Sequence, residues 1–207
     1  MDWVFVLLAW WPLAWHVTGA GLAWWLPLPW GWAVFLVWVF FLPPLMCRIS
    51  ESLFPVRGTH LITSATARRW WWMQQLQMPF NRLVMVEEIM RLVPGLYQLW
   101  LILWGGQVSL LSIVAPGVVI TDRQLVRIGR GAVLGNGCLL GGHLVIQRGD
   151  QCDLIVAEVT VESGAMIGAR AMLSPGSSVA SNESMPATLA LRPFQRWQDG
   201  QRIQGKN

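Results

Sequence analysis

The chain has 207 residues, room for one ordinary domain or for a small domain with a membrane part. Apolar residues make up 54% and charged residues only 13%, against roughly a quarter charged in soluble domains, so an ordinary soluble globule throughout is excluded. The net charge of +4 comes from scattered Arg without a Lys/Arg block, which excludes a basic nucleic-acid tail, and the three cysteines, Cys47, Cys138 and Cys152, fit neither a disulfide framework nor a C-x-x-C zinc pattern.

Residues 1–47 read as a transmembrane helical hairpin. No Asp, Glu, Lys or Arg occurs between Trp3 and Cys47. A membrane helix needs about 20 apolar residues, so this run holds two. The first is expected over Trp3 to Val17 and the second over Gly31 to Met46, with HVTGAGLAWWLPLPWG between them. Trp crowds both segments, which suits the headgroup boundary. A cleaved signal peptide fits poorly, because no basic stretch precedes the apolar run. The connection has no Lys or Arg, whereas Arg48, Arg57, Arg68 and Arg69 follow, so the positive-inside rule puts both ends of the hairpin in the cytoplasm.

Residues 48–113 read as an amphipathic helical linker on the membrane surface. An Arg pair precedes three consecutive Trp in RRWWWMQQLQMPF. A helix is expected to run through VEEIMRLV to Val93 and to break at Pro94-Gly95. The apolar stretch Leu96 to Trp104 is short and ends at Gly105-Gly106, so a third span is possible there but interrupted.

From Val114 a six-residue beat of Ile, Leu and Val begins. It passes through Ile120, Ile128, Leu134, Leu140, Ile146, Ile155, Val161, Ile167 and Leu173 to Val179. It slips between Ile120 and Ile128 and again between Ile146 and Ile155. Such a period means a parallel β-helix whose aliphatic residues fill a narrow core. The blocks VAPGVV, IGRGAV, LGNGCL, IGARAM and LSPGSS resemble the hexapeptide motifs of bacterial left-handed β-helix acyltransferases. The resemblance covers residues 114–187 and implies about four coils, with Pro186 ending the last and a tail over 188–207. The expected fold is therefore mainly β, a left-handed parallel β-helix behind a membrane hairpin and a helical linker. The resemblance also implies a homotrimer with acyl-CoA, acetyl-CoA first among candidates, as co-substrate in a cleft between subunits.

The residue three places after each beat is Gly117, Arg123, Gly131, Gly137, His143, Gly149, Glu158, Gly164, Arg170, Gly176 and Asn182. Its glycines point to corners with positive φ, and His143 is expected to project from such a corner. Imidazole titrates near neutrality and suits a general base. Related acyltransferases use a histidine in this way, which the resemblance carries to His143 as catalytic base. By block counting Asp122 lies one coil earlier and could orient the ring, although TDR also reads as a simple polar turn. Gly164, Arg170 and Arg192 are the candidate contacts for acyl-CoA, with Arg suited to its phosphates. His16 and His60 fall outside the repeat, and a lone histidine there cannot form a catalytic zinc site, so no metal is expected. The glycines of GRGAVLG belong to the beat and not to a dinucleotide loop.

The expectation is a membrane-associated O-acyltransferase of the bacterial-type cytoplasmic membrane, its β-helix facing the cytoplasm. It would move an acyl group from acyl-CoA to a hydroxyl of an amphiphilic acceptor, a lipid or a lipid-linked sugar. No cofactor would be permanently bound and no nucleic acid engaged. The rival is a non-catalytic trimeric scaffold that docks other proteins at the membrane. A soluble acceptor is a third possibility, under which activity survives removal of residues 1–47.

Overall fold

A computed structural model describes residues 3–205. Helices α1 (Trp3–Ala9) and α2 (Trp11–Trp24) run on as one apolar stretch of 22 residues, and α3 (Trp30–Phe40) and α4 (Leu42–Leu53) as another of 24. At 1.5 Å per residue these are about 33 and 36 Å long. Both overrun the expected bounds; in the first, the polar side chains beyond or near the expected end are satisfied by the helix itself, and in the second Arg48 donates to Ile102 O and Glu51 pairs with Arg57. Thr18 Oγ1 donates back to Ala14 O at 2.8 Å, and His16 Nδ1 lies 2.6 Å from Pro12 O. The two stretches are stapled by tryptophans well inside the hairpin. Trp15 and Trp38 stack at 4.2 Å, and each indole N–H donates to the other's carbonyl, at 3.2 and 3.0 Å. Trp in these helices therefore packs helix on helix as well as marking their ends.

Strand β1 (Gly58–Leu61) is followed by α5 (Ala65–Arg82), α6 (Val84–Arg91) and α7 (Leu96–Leu103). Within the linker α5 is buried, whereas α6 and its flanks keep Met85, Ile89 and Leu92 exposed. Ser64 caps α5 by accepting from Ala67 N–H at 3.1 Å. On α5, Trp70, Met73, Gln74, Gln75, Leu76, Gln77 and Phe80 are buried. The helix has little free face because it is wedged between the apolar hairpin and the first coils. Trp71 Nε1 donates to Phe5 O at 3.1 Å, and Trp72 meets the Trp11 ring at 4.9 Å. Helix α7 has 8 residues, with Tyr97, Trp100 and Leu101 buried. At about 12 Å it is far too short to span a bilayer.

The repeat forms three parallel sheets from β2 (Gln107–Val108), β3 (Ile113–Val114), β4 (Val119–Ile120), β5 (Val126–Ile128), β6 (Val133–Leu134) and β7 (Leu139–Leu140) onward. After a hairpin, β8 (His143–Arg148) and β9 (Gln151–Val156), the coils resume with β10 (Val159–Val161), β11 (Met166–Ile167), β12 (Met172–Leu173), β13 (Ser178–Val179), β14 (Ser184–Met185), β15 (Ala190–Leu191) and β16 (Gln195–Gln198). The first face stacks β2, β5, β10, β13 and β16; the second β3, β6, β11 and β14; the third β4, β7, β12 and β15. Strand β17 (Gln201–Gln204) turns back antiparallel on β16 and closes the stack. Parallel pairing thus begins at Gln107, before the expected start, and continues past Pro186 to Trp197. Val161 pairs with Val179 and Val179 with Trp197, eighteen residues apart each time, as three hexapeptides require.

Both register slips have structural causes. The first coil carries a 3₁₀ turn at Arg123–Leu125, so Ile120 pairs with Leu140 twenty residues on. The second coil extrudes β8 and β9 as an antiparallel hairpin, and β1 adds to β9 as its third strand. Ile146 and Ile155, read as beat positions, belong to this hairpin and not to the coil core. RGDQCD forms its tip. The corner column is likewise split. Gly117, Gly131, Gly137, Gly164, Arg170, Gly176 and Asn182 have positive φ, as do Thr188 and Phe194 further on. Arg123, His143 and Glu158 do not share it, because each lies at the 3₁₀ turn or at a root of the hairpin.

Candidate active site

His143 opens β8, paired with Val156, where the chain leaves the third face. It is not a left-handed corner residue. Its exposure comes instead from its place at the hairpin root, where the side chain keeps 26% of its accessible surface. The pairing of Ile120 with Leu140 sets Thr121 beside Gly141 and Asp122 beside Gly142, one coil apart at the same corner. Asp122 and His143 therefore meet: His143 Nδ1 lies 2.7 Å from Asp122 Oδ2. The neutral ring donates from Nδ1, which leaves the Nε2 lone pair to accept a proton.

The Asp122 carboxyl is fully buried and surrounded by donors. Oδ2 also accepts from Thr121 Oγ1 at 2.6 Å and from Gly142 N–H at 3.0 Å, and Oδ1 accepts from Gln74 Nε2. Burial alone would raise its pKa. The hydrogen bonds and charge of His143, with the bonds from Thr121 and Gly142, outweigh burial and hold it below the usual carboxylate value. Burial correspondingly pulls the His143 imidazole down, but the bond to Asp122 and its charge prevail and raise it above 6.5. Gly142 is required by close approach. A Cβ there would come within 2.8 Å of Asp122 Cβ and 2.9 Å of Leu125 Cβ. The Trp70 ring of α5 covers the imidazole at 4.8 Å, tilted by 58°.

TDR is not a simple polar turn. Arg123 is 1% exposed, and its Nε donates to Glu87 Oε1 of α6 at 2.7 Å. Glu87 also accepts from Tyr97 Oη at 3.1 Å and from Trp100 Nε1 at 3.2 Å. Burial, with the Glu87 charge beside it, pushes the Tyr97 phenol far up, so it stays a neutral donor. Gln77 Oε1 accepts from Arg123 N–H at 2.9 Å, while its Nε2 donates to Gln124 Oε1 at 3.0 Å. Sequence reasoning missed Gln74, Gln77 and Glu87. Polar residues inside the apolar pattern of α5 and α6 were the available signal, but their partners at the 3₁₀ turn, Asp122, Arg123 and Gln124, lie more than 30 residues away.

Arg192 follows β15 at the same corner as His143. The register places it two coils beyond Gly141, about 10 Å along the stack at strand spacing, with its side chain exposed. Arg170 and Gly164 occupy the other two corners. Arg170 N–H donates to Asn136 O at 2.9 Å, and Gly164 N–H to Arg130 O at 2.9 Å. The fold does not bring them to the His143 corner within one chain. His16 and His60 also lie apart. His60 sits in β1 with Nε2 2.6 Å from Arg57 O. Among the described residues no group of three or more His, Cys, Asp and Glu side chains converges. The Cys138 thiol, buried in the coil core, is pushed up to about 12 by burial and stays protonated. The arrangement can therefore take a proton at His143 Nε2, with the resulting imidazolium held against a buried carboxylate.

No protein-family profile matches the chain. No curated protein matches it. Solved structures similar to it include a hexapeptide-repeat-containing acetyltransferase from Vibrio cholerae, 10% identical, covering 61% of this chain and 92% of that one with a TM-score of 0.38. They also include serine acetyltransferase from Neisseria gonorrhoeae, in complex with serine, at 16% identity, covering 86% of this chain and 80% of that one with a TM-score of 0.27. A serine acetyltransferase isoform 3 from Entamoeba histolytica, in complex with cysteine, is 14% identical over 77% of this chain and 71% of that one, with a TM-score of 0.23.

Proposed function

We propose that the protein is a membrane-associated O-acyltransferase in which His143 is the general base. The observation that carries this reading is the 2.7 Å contact between His143 Nδ1 and the wholly buried Asp122. A buried carboxylate is costly, and this one has four hydrogen-bond donors, one of them an imidazole with an exposed edge. Nε2 takes the proton of an acceptor hydroxyl as its oxygen attacks the thioester carbonyl of acyl-CoA. The C–S bond then breaks, the ester forms, and the proton passes from the imidazolium to the departing thiolate.

The coils are left-handed in this reading, and three copies associate. The outward residues support a subunit interface. On the first face these are Gln107, Arg127, Thr160, Ser178 and Arg196, all polar. The second face presents Ile113, Val133, Met166 and, at its end, Ser184, and the third Val119, Leu139, Met172 and Ala190. Two apolar ladders beside a polar one favour association through the apolar pair. Acyl-CoA lies along the His143 corner, where Arg192 meets its phosphates. Arg170 and Gly164 take part only from a neighbouring copy.

The two apolar stretches span a bilayer, with the β-helix on the cytoplasmic side. Only 11% and 22% of their most apolar windows are buried in the chain, which is not the burial of core helices. The acceptor is amphiphilic because α5 joins the site to this hairpin: Trp70 covers His143, and the next residue, Trp71, bonds to Phe5. Protein in lipid nanodiscs should be given acetyl-CoA with a labelled acetyl group and total membrane lipid. Label in the lipid extract supports the reading. Label only in added water-soluble alcohols removes the amphiphilic acceptor, and no label with any acceptor favours the scaffold.

A further inference from the structure

We infer that Gln74, from the linker helix α5, is a positioning residue that fixes the Asp122–His143 pair. This rests on the reading of His143 as base. Gln74 is 4% exposed, and its carboxamide Nε2 donates to Asp122 Oδ1, the oxygen that His143 does not use. Thr121 and Gly142 both bond to Oδ2, so Gln74 is the side chain that holds the other end of the carboxylate. A carboxylate clamped at both oxygens cannot turn about χ2, and its imidazole partner inherits that orientation. The clamp comes from outside the β-helix. Helix α5 is pinned on its other side by the Trp71–Phe5 bond and the Trp72–Trp11 contact, so the apolar hairpin and the base share one rigid element.

The charged and titratable groups around the pair are few. Asp122 and His143 face each other; Arg123 turns away to Glu87; and Cys47 lies on α4, which packs against the 3₁₀ turn. Gln74 is the uncharged member of this set. Its N–H dipole points at the carboxylate and opposes the imidazolium, so it tempers the basicity that Asp122 confers.

Gln74→Met keeps the length of the side chain and removes the donor. In nanodisc-embedded protein the His143 imidazole should be titrated by NMR and the pH–rate profile recorded. The expected result is a His143 titration raised by about half to one pH unit, an acidic limb moved up with it, and kcat lower by about tenfold with KM for acetyl-CoA unchanged. Gln77→Met, on the same buried helix but bonded to Arg123 and Gln124, controls for loss of packing. It should lower Tm comparably and leave the His143 titration in place. Equal shifts in both variants, or none in Gln74→Met, would overturn the inference. Because the NMR titration does not depend on turnover, a shift in Gln74→Met with activity retained in His143→Ala would sustain the positioning role and remove the base.

Discussion

At the scale of single residues, the site depends on a charge kept where charge is expensive. Asp122 is wholly buried and still ionised because four donors converge on it, the strongest of them from His143. The sign of the pH dependence follows. The raised pKa of His143 means that its ion pair adds stability fully below about 6.5 and loses it as pH rises through the folded value. The lowered pKa of Asp122 adds stability above its ordinary value near 3.8 and loses it as pH falls through the folded value. With His143 as the proposed base the ring must be neutral, so the acidic limb of kcat/KM should lie above 6.5. In Asp122→Asn burial acts alone on His143. The limb should then move below 6.5 while kcat falls by about 10²–10⁴, which a pH–rate series reads directly. Gly142→Ala is a purely steric test. Its methyl group would meet Asp122 and Leu125 under 3 Å, and about 1–3 kcal/mol of stability should be lost in chemical denaturation, with activity reduced as the pair is forced apart.

At the scale of elements, α5 and α6 replace the solvent that a truncated coil stack would otherwise meet. Gln74, Gln77 and Glu87 bond to the Asp122 carboxylate, the Arg123 N–H and guanidinium, and Gln124 Oε1 at the 3₁₀ turn. Replacing Glu87 by Gln leaves the Arg123 guanidinium buried without its counter-charge. Breaking such a pair costs about 3–5 kcal/mol, so Glu87→Gln should unfold at markedly lower denaturant than the parent. The double replacement of Glu87 and Arg123 by apolar residues should recover much of that loss. The hexapeptide coils were legible because their core positions are filled by Ile, Leu and Val at fixed spacing, and Ile128, Leu134, Leu140 and Leu173 all point inward as expected. The hairpin at 143–156 was not, because Ile146 stands six residues after Leu140 and Ile155 six before Val161, so both keep the spacing of the coil although they lie on β8 and β9. The burial of α5 was not legible for a related reason. RRWWW has the composition of a membrane-surface helix, and only the distant partners Asp122, Gln124 and Phe5 show that α5 is buried on both sides.

At the scale of the whole molecule, an apolar hairpin, a buried helical wedge and a coil stack meet around one imidazole. Asp122 and His143 were both legible as candidates, but the register slip falls between them in sequence, so block counting leaves their pairing open against a simple polar turn. The most direct measurement is thiol release from acetyl-CoA by the full chain in nanodiscs, with total membrane lipid as acceptor and His143→Ala run beside the parent. The expected result is release that requires both lipid and His143, with the variant slower by about 10²–10⁴. Release that persists undiminished in His143→Ala, or no release by a correctly folded parent from acetyl-CoA and longer acyl-CoAs, would contradict it.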